Sequence, residues 1–168
     1  MLSIASRGTR FAVHLVAALA VVCAVMAIPA RVDAQQAQQG SSIYDMSKRE
    51  YQQRLAYWIN RARDNHSKRS VRVRPCIDDF AGSWARHLAV KEKFEHQSLG
   101  PIMRRCDLST AGEIIAMGGV TPRQMVRMWL RSSGHRDILL SRSYRIAGVG
   151  AHLGDNGAWY GVIDFGRH

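Results

Sequence analysis

Near the C-terminus two extended runs, Ile146 to Leu153 and Ala158 to Phe165, flank Gly154-Asp155-Asn156-Gly157. Asn-Gly is a strong hairpin signal, because the tight turn needs positive φ, which Asn tolerates and Gly adopts freely. The runs are rich in β-branched, aromatic and small residues, so they read as two antiparallel strands in direct succession. That pair constrains the rest of the chain, which must cover a sheet. Glu113 to Met117 offers a third short strand.

The covering segments have helical period. Ser47 and Glu50 have the spacing of a capping box, and order is expected from Ser47 onward. Behind them Tyr51, Leu55, Trp58, Ile59 and Ala62 form one helical stripe. A polar turn from Asn65 to Ser70 leads into an extended stretch up to Pro75. The next helix is expected near Asp78 or Asp79, with Ile77, Phe80, Ala81, Trp84, Leu88 and Ala89 as its apolar stripe. His87 lies beside that stripe, where a hydrogen-bonded structural role is expected. Thr121-Pro122-Arg123-Gln124 is the clearest helix start, with a capping Thr, Pro at the first helical position and Gln to complete the box. Trp129 and Trp159 are expected in the core. Gly112, Gly134, Gly148 and Gly150 are expected to serve turns and close packing. Helices in front, strands behind and few βα alternations give an α+β fold, with a small antiparallel sheet and helices on both faces.

The first 34 residues read as an address. Arg7 and Arg10 precede an apolar run from Phe11 to Ile28, and Val32-Asp33-Ala34 offers small residues for a signal peptidase. Export with cleavage after Ala34 is the expectation; an uncleaved N-terminal membrane anchor is the alternative, since the run just reaches spanning length. Residues 35–46 read as a flexible linker and residues 47–168 as the domain.

Lys plus Arg number 24 against 13 Asp plus Glu, a formal charge of +11. Such a balance predicts attraction to polyanions: nucleic acid, anionic lipid or cell-wall polymer. Export argues against nucleic acid. Of three cysteines, Cys23 lies in the expected signal, leaving Cys76 and Cys106. An even pair in an oxidising compartment reads as one disulfide, with two unpaired buried thiols as the alternative.

No nucleophile elbow, phosphate loop, zinc-protease helix, dinucleotide fingerprint or CxxC pair is present. What remains is His96 in KFEHQSLG, Glu113 in TAGEIIAMG and His135 in SSGHRDILL. Each stands at the edge of an expected element. Two neutral imidazoles and a carboxylate can hold a divalent metal with one position open; equally, three such residues can be unrelated surface groups. No residue is assigned a catalytic role.

The segments WINRARDNH, FAGSWARHLA, FEHQS, GEIIAMGG, MVRMWLRSSGHRDILL, AGVGAHL and WYGVIDFG occur in that order over about 110 residues, Trp58 to Gly166. In this order they resemble the CAP superfamily (cysteine-rich secretory proteins, antigen 5 and pathogenesis-related protein 1), and most of all its short secreted bacterial members. The resemblance implies a three-layer α-β-α sandwich and a cleft lined by His96, Glu113 and His135, with zinc a possible cofactor on His96 and His135. Ile114 and Ile138 stand where the family commonly has Asn, Ser132 where many members have a second Glu, and Ile163 where a Gln is usual. These departures imply fewer polar groups to orient the imidazoles.

The expected role is therefore a secreted binding module, a monomer. Its partner would be an anionic or amphipathic envelope component (lipid or cell-wall polymer) or an extracellular protein. A zinc-dependent hydrolase using the His/His/Glu cleft is the alternative.

Overall fold

A computed structural model describes residues 42–168. The expected signal, 1–34, and residues 35–41 of the expected linker lie outside the described residues. In chain order the elements are α1 Lys48–Asn65, β1 Arg72–Val73, α2 Pro75–Lys91, α3 Leu99–Arg105, β2 Thr110–Gly118, α4 Pro122–Arg131, α5 Ser133–Leu139, β3 Ile146–Leu153 and β4 Trp159–Arg167.

The hairpin forms as the sequence expects: β3 pairs antiparallel with β4, register Ile146 with Gly166 through Leu153 with Trp159. On its other side β4 pairs antiparallel with β2, which runs the full nine residues Thr110–Gly118. The sheet order is β1-β3-β4-β2. One correction applies to the expected antiparallel sheet: β1 pairs parallel with β3 at the far edge, so the sheet is mixed. Asn60 explains its attachment, since its side-chain amide exchanges two hydrogen bonds with the backbone of Val71, 2.9 and 3.0 Å long.

Helices cover both faces, giving the α-β-α sandwich. On one face Leu55 and Ile59 of α1 and Trp129 of α4 pack on Ile114, Val149, Ile163 and Phe165. On the other, Ala81, Ala85 and Leu88 of α2 pack on Ile115 and Val162, while Ile102 of α3 meets Ile77 and Ile146. A Cβ at Gly148 or Gly150 would run into the backbone of Ile77 or Ala81, so these glycines let α2 lie directly on β3. Gly134 has open space around it and answers no such need.

Helix starts follow local chemistry with two corrections. The Thr121–Gln124 box is reciprocal. At Ser47 it is one-sided, because the Glu50 carboxylate pairs with Arg54 at 2.7 Å instead of reaching back. The second helix begins at Pro75, not Asp78 or Asp79. Proline's fixed φ suits the first helical position and its missing N–H costs nothing there. Asp78 is free to accept from the Val149 N–H at 2.8 Å, clasping α2 to β3. Order also extends ahead of Ser47: Met46 is buried, and Trp159 Nε1 donates to the Ile43 carbonyl at 3.0 Å. Cys76 and Cys106 are disulfide-bonded, joining the first turn of α2 to the end of α3.

Candidate functional site

The site lies at the free edge of the sheet, on β2. Glu113 is paired in register with Asp164 of β4, so both carboxylates point to the α2 face from adjacent strands. Both are buried, at 5% and 1% exposure, among apolar side chains. Two anions so placed repel one another and have lost their water. Burial first, and the Glu113 charge second, push the Asp164 carboxyl up to about 8, against the opposing hydrogen bond from Gln97. At neutral pH Asp164 therefore keeps its proton.

His96 and Gln97 arrive on the segment between α2 and α3. Trp84 Nε1 donates to the Glu95 carbonyl at 3.1 Å, which fixes the segment over β2. His87 stacks on the same Trp84 ring, centroids 4.5 Å apart, so its role is packing and not the expected hydrogen bond. His96 Nδ1 lies 2.5 Å from Glu113 Oε1. The Gln97 N–H donates to the same oxygen at 3.2 Å. Gln97 Nε2 donates to Glu113 Oε2 at 2.7 Å and to the Asp164 oxygens at 3.0 and 3.2 Å. One amide thus bridges both acids and leaves the outer face of the His96 ring, whose side chain is 57% exposed, toward solvent.

His135 approaches from the opposite face. Gly112 makes room on that face: a Cβ there would collide with the Tyr144 ring, which follows α5, and would touch Ile138 of α5. Burial, then the charge of His96, hold His135 below the ordinary imidazole range. His135 is thus near enough to His96 to feel its charge, and both influences favour its neutral form.

Of the three residues singled out from sequence, His96 and Glu113 are in direct contact, while His135 makes no side-chain hydrogen bond to either; two residues missed from sequence, Gln97 and Asp164, join the first pair. Asp164 carried a readable signal, an acid alone in the apolar run WYGVIDFG. Gln97 carried none beyond standing next to His96. Ile114 and Ile163 are register partners in the core on the other face, and Gln97 orients Glu113 and His96 from the cleft side. The donors do not fit a His/His/Glu zinc site. Both Glu113 oxygens are already engaged by His96 and Gln97, and among the described residues no three His, Cys, Asp or Glu side chains stand together as ligands. A shallow depression of about 330 Å³ runs beside α1, lined by Ala56, Tyr57, Asn60, Arg61, Asp64 and Ser70, and none of the cleft residues borders it.

A family model, CAP, described as the cysteine-rich secretory protein family, matches residues 57–165. Uncharacterized protein YkwD of Bacillus subtilis is 28% identical over 107 residues, 60% of this chain but only 42% of that relative's length. An outer surface protein of Borrelia burgdorferi superposes with a TM-score of 0.65 at 19% identity, covering 73% of this chain and 96% of the other. An extracellular protein with an SCP domain from Bacillus anthracis gives 0.64 at 23% identity, covering 72% of this chain and 41% of the other. At these identities the superpositions speak for the fold.

Proposed function

Since this chain belongs to the CAP family, the cysteine-rich secretory proteins, we propose that it is a secreted binding module acting at the cell envelope on an anionic component. The observation that carries this is the state of the cleft. Its acids and one imidazole are tied to one another: Glu113 is held by His96 and Gln97, and Asp164 by Gln97. A general base must face substrate and a zinc-bound hydroxide needs open ligands; Glu113 is buried with a donor on each oxygen, which suits neither role. The exposed ring of His96 and the neutral ring of His135 are suited to donate to and accept from a bound group. The excess of basic residues supplies attraction at a distance. Export through residues 1–34 accords with the outer surface protein of Borrelia burgdorferi and the extracellular protein of Bacillus anthracis that share the fold.

The test is co-sedimentation of the full chain with purified envelope material across a salt series. Retention that falls steeply between about 50 and 200 mM salt is expected of charge-led binding. Indifference to envelope material at low salt would overturn the reading. A calorimetric zinc titration beside His96→Ala and His135→Ala addresses the hydrolase alternative: one equivalent bound by the parent and lost in both variants would revive it.

A further inference from the structure

The positive charge is not spread evenly. The strands share one axis, and the segments at its two ends differ sharply. At the end where β1 and β3 begin and β4 finishes lie residues 66–74, 104–110, 140–145 and 166–168, with nine Lys or Arg and one acid, Asp107. At the other end lie 42–47, 91–95, 118–121 and 153–158, with two Lys and four acids. Eight of the nine basic residues at the first end are Arg.

Three of these arginines are brought together by the sheet itself. The Arg72 N–H donates to the Arg145 carbonyl at 3.1 Å, and the Arg145 N–H donates to the Gly166 carbonyl at 3.0 Å, beside Arg167. Arg72 lies in β1 and Arg167 in β4, while Arg145 immediately precedes β3. By strand alternation Arg145 and Arg167 belong to the α1 face and Arg72 to the α2 face, so the three rim one end of the sheet from both sides. No carboxylate lies within 4.0 Å of any of them among the described residues, whose ion pairs are all elsewhere. Arg72 and Arg167 are exposed, while Arg145 is partly held by the carbonyls of Arg142 and Tyr144. Arg145 and Arg167 are like charges on adjoining chain segments of one face, a local cost without a local partner.

A second observation points the same way. Arg63, at the end of α1, is fully buried with no carboxylate beside it. It donates to the Arg69 carbonyl at 2.8 Å and the Leu139 carbonyl at 2.6 Å, and its Nη2 has no partner. Burial, then the charge of Arg145, lower its pKa. The same end thus holds an uncompensated guanidinium inside as well as several outside.

We propose that this end of the sheet is a binding site for a polyanion of repeating phosphate groups, gripped by Arg72, Arg145 and Arg167. The proposal rests on the binding-module reading and adds to it the face and the anion chemistry. Guanidinium forks match phosphate bidentately, which suits a patch built of Arg rather than Lys. Their spread around one end of the sheet is wider than one phosphate and fits several in a row. A membrane surface is the poorer occupant. Of the seven exposed large apolar side chains among the described residues, Tyr44, Val90, Phe94 and Met117 lie toward the opposite end, while Val73 lies here and Tyr57 borders the depression that reaches Ser70.

The experiment measures binding of the full chain to inorganic polyphosphate by fluorescence anisotropy across a salt series. The site variant is Arg72→Gln/Arg145→Gln/Arg167→Gln. Its control, Arg123→Gln/Arg127→Gln/Arg131→Gln on α4, removes the same net charge elsewhere. The site variant is expected to bind at least tenfold more weakly with a shallower salt slope, and the control to stay within about twofold. The double variant Arg72→Gln/Arg167→Gln, which leaves the Arg145 carbonyl contacts intact, is expected to weaken binding in the same direction. Equal weakening in both triple variants would overturn the proposal. So would polyglutamate binding as tightly as polyphosphate, or phosphatidylglycerol vesicles binding where polyphosphate does not. If the parent retains envelope material but the site variant does so equally well, the site falls and the binding-module reading stands. If the parent binds neither, both fall.

Discussion

At the residue scale the cleft is governed by one amide and one proton. Gln97 satisfies two buried acids at once, so Gln97→Ala leaves carboxylate oxygens buried without donors and should cost about 1–3 kcal/mol in urea unfolding at neutral pH. Asp164 gives a pH prediction with a definite sign. Its folded value is about 8 against an ordinary 3.8, so between those limits the folded state holds a proton that the unfolded chain has released. The contribution of this group is therefore fully present below about pH 4 and drains away as pH rises through 8. Relative to Asp164→Asn, the parent should lose about 1 kcal/mol per pH unit between pH 5 and 8, read from urea midpoints. Equal pH profiles for the two proteins would contradict a protonated Asp164. The histidine pair makes its own prediction. In His96→Gln the NMR titration midpoint of His135 should move upward, because one of the two influences depressing it has gone.

At the scale of elements, helix ends and glycine contacts decide placement. Thr121 caps α4 through a reciprocal box, so Thr121→Ala should cost about 1 kcal/mol, seen as a drop of a few degrees in Tm. Gly150→Ala should cost more, because the new methyl meets the Ala81 backbone and not a flexible side chain. The hairpin, the α4 start and the apolar stripe of α1 were legible in sequence because each depends on residues a few positions apart. The start of α2 was misread for the same reason. Asp78 has the chemistry of a helix-start acid, but its partner is Val149, 71 residues away, which no local pattern reveals. The parallel edge β1 escaped likewise, being two residues long and held by Asn60 from the preceding helix.

At the scale of the molecule, the Cys76–Cys106 bond ties two elements of the α2 face across 30 residues. Cys76→Ser/Cys106→Ser should lower stability by about 2–4 kcal/mol in the chain-entropy account, measured as a lower urea midpoint with unchanged circular dichroism at zero denaturant. The sequence by itself determined the layer plan, the hairpin, the half-cystine pair and the residue types of the His96–Glu113 pair, since periodicity, turn chemistry and residue type are written locally. Only the tertiary structure decided that Glu113 lies beside Asp164, that Gln97 bridges them, and that the arginines gather at one end of the sheet. These are pairings across strands, set by register, and register is fixed by the packing of both faces at once.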